Sequence, residues 1–250
     1  MRVISSIVRK ELRSYFASPL AYVILVVFLV LAGVFFFIYL NGFLQSQFDP
    51  RFQAYGGSLN LNHFVIAPYF GTINILLLLM IPLITMRLIA EERKGFTGEM
   101  LFTSPIRPVQ ILLGKYLSSL ILFIVMLVLS AINVIPLFFY GNPDPGPVLS
   151  GYLGLFLLGS SFISVGLFAS AVTENQIVSA LIAFGILLLF WIIGASADPD
   201  ASALGYLSII NHFEDFTAGV IETKDVVYYL SFTFYALFIT HTVLESERWR

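Results

Sequence analysis

The 250-residue chain is 58% hydrophobic and 11% charged, with a mean hydropathy of +0.92, whereas a soluble domain has roughly a quarter of its residues charged. A water-facing globule is excluded, and runs of 18 or more apolar residues place the chain among polytopic α-helical membrane proteins. It has no cysteine, which rules out disulfides and thiolate metal sites, and its net charge of −2 says little until the charges are placed.

In chain order, residues 2–18, RVISSIVRKELRSYFAS, carry a helical period. Val3, Ile4, Ile7, Val8, Leu12, Tyr15 and Phe16 share one face, and Arg2, Ser5, Ser6, Arg9, Lys10, Arg13 and Ser14 the other. Such a basic amphipathic helix is expected to lie in the cytoplasmic interface. There it serves either as an orientation signal alone or as a lever between a cytoplasmic partner and the first span. Pro19 separates it from the apolar run 20–40, which is too long for a cleavable signal segment and lacks a small-x-small site after it. That run is expected to stay as the first span.

Six segments can cross a bilayer, near 20–40, 70–87, 115–139, 150–172, 177–195 and 226–244. At about 1.5 Å per residue each covers the hydrocarbon core of roughly 30 Å. Helices are required, because an open strand would leave backbone donors unsatisfied in lipid. The expected fold is therefore all-α, one transmembrane domain over residues 1–250. Between the spans, LNHFVIAPYF within 41–69 and ALGYLSIINHFEDF within 196–225 are too apolar for free linkers and predict short interfacial or re-entrant helices. YGNPDPGPV, 140–148, is a Pro/Gly turn, and TENQ, 173–176, permits only a tight hairpin between spans 4 and 5.

Positive charge sets the expected orientation. Eleven of the thirteen Lys and Arg residues precede span 1, lie between spans 2 and 3, or follow span 6; only Arg51 and Lys224 lie on the other side. Both termini are thus expected in the cytoplasm of a bacterial-type inner membrane. Tyr39, Tyr69, Tyr140, Tyr152, Trp191, Tyr228 and Tyr229 fall near predicted span ends, as an aromatic belt would.

No span has a central Asp, Glu, Lys or Arg, which argues against a secondary transporter coupled to protons or ions. Asn74, Asn133 and the set Gly159, Ser160, Ser164, Gly166 and Ser170 supply the mild polarity; close helix packing is the main reading of that set and a substrate path the other. His63, His212 and His241 are scattered, so no metal site is expected. HExxH, GxSxG and P-loop patterns are absent; Gly114-Lys115 is followed by Tyr116, with Val109 where the P-loop needs glycine. The chain is expected to be no enzyme, to have no catalytic residue and no nucleic-acid partner, and its substrate residues are unknown.

Charge concentrates instead in 87–115, RLIAEERKGFTGEMLFTSPIRPVQILLGK. Leu88, Ile89, Phe96, Met100 and Leu101 can share one side of a short helix over 88–101, with Glu91, Glu92, Arg93 and Lys94 on exposed turns and Lys115 anchoring span 3 at the surface. Pro105 and Pro108 end that helix. Either this is a solvated loop, or it is a stiff helix built to enter a groove on another protein.

The run MRLIAEERKGFTGEMLFTSPIRPVQILLGKYLSS resembles the region after the second span of ABC-2-type transporter permeases. Residues 18–37 and 212–250 are similar to the gliding-motility-associated branch of these proteins, so the resemblance covers essentially the whole chain. It implies that residues 1–19 are a connecting helix and that 88–101 form a coupling helix docked on an ATP-binding subunit, with Glu91, Glu92, Arg93, Lys94, Phe96, Gly98 and Glu99 as the contact region. It further implies a second permease subunit, identical or related, and ATP with magnesium held by the partner ATPase, this chain having no cofactor of its own. The expected function is an ATP-driven exporter. The alternative is an ATPase-coupled mechanical component acting on a periplasmic or membrane accessory protein.

Overall fold

The structure, a computed structural model, describes residues 2–48, 60–95, 107–196 and 206–248, and these residues are helical without a strand. Helix α1 spans Arg2–Ala17 and α2 spans Pro19–Gln47. They are separated by Ser18, which has extended backbone and whose hydroxyl accepts from the Leu20 amide at 3.3 Å. Pro19 then sits in the first turn, where its missing donor costs nothing. A π-helical turn, Asn62–Ile66, runs into α3, Ala67–Thr85, and a five-residue helix α4, Ala90–Lys94, follows. Helices α5, Pro108–Tyr140, α6, Pro145–Val172, and α7, Gln176–Ser196, come next. Two more, α8, Asn211–Thr217, and α9, Thr223–Arg248, complete the described residues.

Six of these segments are long and apolar enough to cross a membrane, as expected: 19–47, 62–94, 108–140, 145–172, 176–193 and 223–246. The first four run beyond the expected limits by five to eight residues at one or both ends. The semi-apolar links yield the Asn62–Ile66 turn and α8, while 49–59 and 197–205 lie outside the described residues. Only 173–175 join α6 to α7, and the Asn175 side chain caps α7 by accepting from Ile177 N at 2.9 Å.

Helix α6 is the centre of the bundle and packs against α3, α5, α7, α8 and α9. Its glycines and serines pack helices closely. A Cβ on Gly166 would lie 2.1 Å from Thr85 Oγ1 of α3, so the two backbones approach only because that side chain is absent. Interhelical hydrogen bonds supplement the packing: Tyr116 OH to Ser160 Oγ at 2.6 Å, Ser161 Oγ to Thr233 Oγ1 at 3.0 Å, and Asn133 Nδ2 to Tyr69 OH at 3.1 Å. Such bonds contribute about 0.6 kcal/mol each within a membrane.

Two sequence expectations change here. Tyr69 and Tyr229 are fully buried core residues rather than members of an aromatic belt; their hydroxyls reach the carbonyls of Ser130, at 3.1 Å, and Ile209, at 2.7 Å. Lys115 does not mark the surface end of span 3, because α5 starts two turns earlier at Pro108 and Lys115 is 1% exposed.

Candidate functional site

The α3–α4 corner is built by Ser170, two residues from the end of α6. Its hydroxyl accepts from the amides of Ile89 and Ala90, both at 3.0 Å, and donates to the Met86 carbonyl at 3.1 Å. One side chain thus satisfies the loose backbone groups between the last turn of α3 and the first of α4. Leu88, Ile89 and Ala90 are buried beneath the corner. Glu91 and Glu92 then fall in the first turn of α4 and Arg93 and Lys94 in its last, the order that suits a helix dipole.

The four charges of α4 divide between two faces. Glu91 and Lys94 are exposed. Glu92 turns inward: its Oε2 lies 2.9 Å from Lys115 Nζ of α5 and its Oε1 2.9 Å from Lys10 Nζ of α1. Lys115 also contacts Glu11 Oε1 at 3.0 Å and donates to the Leu88 carbonyl. An ammonium has three protons, and Lys115 has three acceptors, two of them charged. The four residues Lys10, Glu11, Glu92 and Lys115 balance to zero, which allows Lys115 to be buried without an uncompensated charge. Arg93 donates through Nη1 to the Ala171 carbonyl at the end of α6.

Helix α1 is held at the same corner. Tyr15, its most buried residue, donates to the Ile84 carbonyl at 3.3 Å and pairs with Ser119 Oγ at 3.1 Å, and the Arg87 guanidinium stacks 4.6 Å from its ring centroid. Burial pushes the Tyr15 phenol far above its ordinary range. Partial burial pulls the Lys10 ammonium down, but the Glu92 hydrogen bond, with the charges of Glu92, Glu11 and Glu91, outweighs it and leaves its pKa raised. A Cβ on Gly114 would meet Ile7 Cγ2 at 2.6 Å, so α1 lies directly on α5. An open cavity of about 200 Å³ lies over the network, bordered by Ser14, Arg87 and Glu91.

Of the seven residues expected at the contact region, the structure places Glu91 and Lys94 outward and Glu92 and Arg93 against the bundle; the exposed turn expected for all four is found only for the first two. Phe96, Gly98 and Glu99, with the rest of the helix expected over 88–101, lie outside the described residues beyond Gly95. Sequence reasoning missed Lys10, Glu11 and Ser170 as partners and misread Lys115. One signal was available: Glu11 is the single acid in an otherwise basic α1, next to Leu12 of the apolar face. The site couples elements by fixed charge pairs; among the described residues it brings together no nucleophile with a base.

Residues 5–248 match the family model described as ABC-2 family transporter protein. No curated protein matches the chain. The match spans nearly the entire sequence, and the chain belongs to the ABC-2 transporter family. It is therefore a multi-pass membrane permease component of an ABC transporter, a family whose membrane subunits work with an ATP-binding partner.

Proposed function

We propose that this ABC-2 family chain is the non-catalytic half of an exporter, driven by a separate ATPase that docks on the outward face of α4 and the residues that follow it. The observation that carries this is the Lys10–Glu92–Lys115–Glu11 network. It turns α4 from a loop into the tip of a lever: a push on Glu91 and Lys94 passes to α5 through Lys115, to α1 through Lys10, and to α6 through Arg93 and Ser170. Orientation with α1 and α4 in the cytoplasm of an inner membrane follows from the positive-charge asymmetry. A second permease subunit, and affinity with the gliding-motility-associated branch, belong to the same reading. ATP and magnesium stay with the ATPase.

The mechanical alternative keeps the ATPase and moves no solute. What favours it is the outer surface of the spans: Val26, Val30, Val34 and Phe37 on α2, and Val128 and Ile132 on α5, form apolar outer faces, fit for lipid or a dry interface rather than a polar path.

Purification of the tagged chain from its own membranes in mild detergent tests the docking. A P-loop ATPase is expected at one per chain. Glu91→Lys, at an exposed position, is expected to lower its recovery severalfold with thermal stability unchanged. Undiminished recovery would remove α4 as the docking site.

A further inference from the structure

The end of the bundle remote from α4 carries a second charged cluster, wired differently. Helices α8 and α9 are joined by residues 218–222, where Gly219 has φ +92°, a backbone state that glycine enters without strain. The Val220 amide donates back to the Asp215 carbonyl at 3.0 Å, which closes the turn. Three carboxylates converge there: Asp215 from α8, Glu222 from the turn and Asp225 from the first turn of α9. One oxygen from each lies within 4.8 Å of the others.

Asp225 is completely buried. Its Oδ1 pairs with His212 Nδ1 at 2.6 Å, whereas its Oδ2 is buried and has no hydrogen-bond partner. An orphaned buried carboxylate oxygen is costly. His212 cannot turn to meet it: Nε2 is held by the Tyr206 carbonyl at 3.0 Å, and the ring stacks on Tyr228 with centroids 4.0 Å apart. Among the described residues the nearby ammonium is Lys224, and it sits on the other two carboxylates. Its Nζ lies 2.8 Å from Glu222 Oε2 and 3.4 Å from Asp215 Oδ2, on a side chain that is 48% exposed.

We propose that Asp215, Glu222 and Asp225 form a binding site for a hard divalent cation of the calcium type, with Asp225 Oδ2 as the buried ligand and the Lys224 ammonium as the group the cation displaces. The donor set decides the class of ion. The chain has no thiolate, and both nitrogens of His212 are engaged, so only oxygens are on offer, as calcium prefers and zinc does not. His212 then plays the outer-sphere part, fixing the orientation of a ligating carboxylate. Three carboxylates, two of them partly open to water and the rest of the shell supplied by water, match the weak calcium sites of extracellular modules, with Kd of about 10⁻⁴ to 10⁻³ M. The bound ion would pin α8 to α9.

The test uses the full chain purified in detergent, with terbium(III) as a luminescent probe and calcium as competitor. One saturable terbium site, released by calcium with Kd in that range, is expected. Glu222→Gln and Asp225→Asn should each weaken it by at least about tenfold, in line with losses at metal sites. Lys224→Ala, by removing the competitor, should tighten it severalfold. The Glu222 side chain is 44% open to solvent, so its variant is expected to fold and decides the matter even where Asp225→Asn does not. No calcium-competed terbium signal, a signal indifferent to Glu222→Gln, or one weakened by Lys224→Ala would overturn the proposal.

Discussion

At the α4 end of the bundle the Lys115 ammonium directs all three protons at Glu11, Glu92 and the Leu88 carbonyl, while at the α8 end the Asp225 carboxylate leaves one oxygen without a partner. Each cluster is built around one buried charged residue, Lys115 or Asp225, at the end of a span, but they are assembled differently. Lys115 and Glu11 are 104 residues apart, so that network exists only once α1, α4 and α5 have packed. His212 and Asp225 are 13 apart, joined through one tight turn. A saturated network spanning several helices transmits displacement, because no member can move without breaking a charge pair. A local cluster with an open valence can instead receive something.

The sharpest way to break this contrast is Lys115→Met. It leaves the largely buried Glu11 and Glu92 leaning on the exposed Lys10, and removing one partner of a buried pair typically costs about 3–5 kcal/mol. Thermal unfolding in detergent should show a large loss, recovered in good part when Glu11→Gln and Glu92→Gln are added. A small loss in the single variant would mean the network is wetter and looser than a transmitting joint requires. Ser170→Ala is next: it strips the acceptor from two amides and the donor from one carbonyl at the α3–α4 corner. Hydrogen bonds of this kind are worth about 1 kcal/mol each at most here, so a loss of about 1–2 kcal/mol is expected, with ATPase stimulation falling further than stability. Equal falls would reduce Ser170 to packing. The smallest effect belongs to Lys10→Gln. The Lys10 side chain is 63% exposed, and exposed ion pairs contribute about 0.2–1 kcal/mol. A shift in unfolding temperature as large as that of Lys115→Met would show that α1, not α5, dominates the network.

Much of this architecture is legible in the sequence, for reasons that also explain the failures. Apolar length reveals six spans because lipid demands it of each span separately. The same criterion misplaces the start of α5: a lysine at 115 looks like an interfacial anchor until its three acceptors are known, and these come from residues 11, 88 and 92. Pro108 was the better signal, since proline favours the first turn of a helix. The charged AEERK stretch announces α4, yet periodicity over five residues cannot say which acid turns inward; Glu92 does so because α1 and α5 bring lysines to that side. The acids near Asp225 were visible as letters, and the turn at Gly219 that gathers them was not. The helical pattern of 2–18 places Tyr15 on the apolar face correctly, but its bonds to Ile84 and Ser119 depend on packing alone.

The central position of α6 has a consequence for how the chain is made. Its glycines and serines suit it to protein neighbours on nearly every side and make it a poor companion for lipid. A ribosome delivers it after α3 and α5 but before α7, α8 and α9, when three of its five helical neighbours do not yet exist. The three-residue link at 173–175 shortens that exposure, because α7 emerges immediately behind and can leave the insertion channel together with α6 as a single hairpin. Chain order and packing order thus coincide at the one helix that could least tolerate waiting in the bilayer alone.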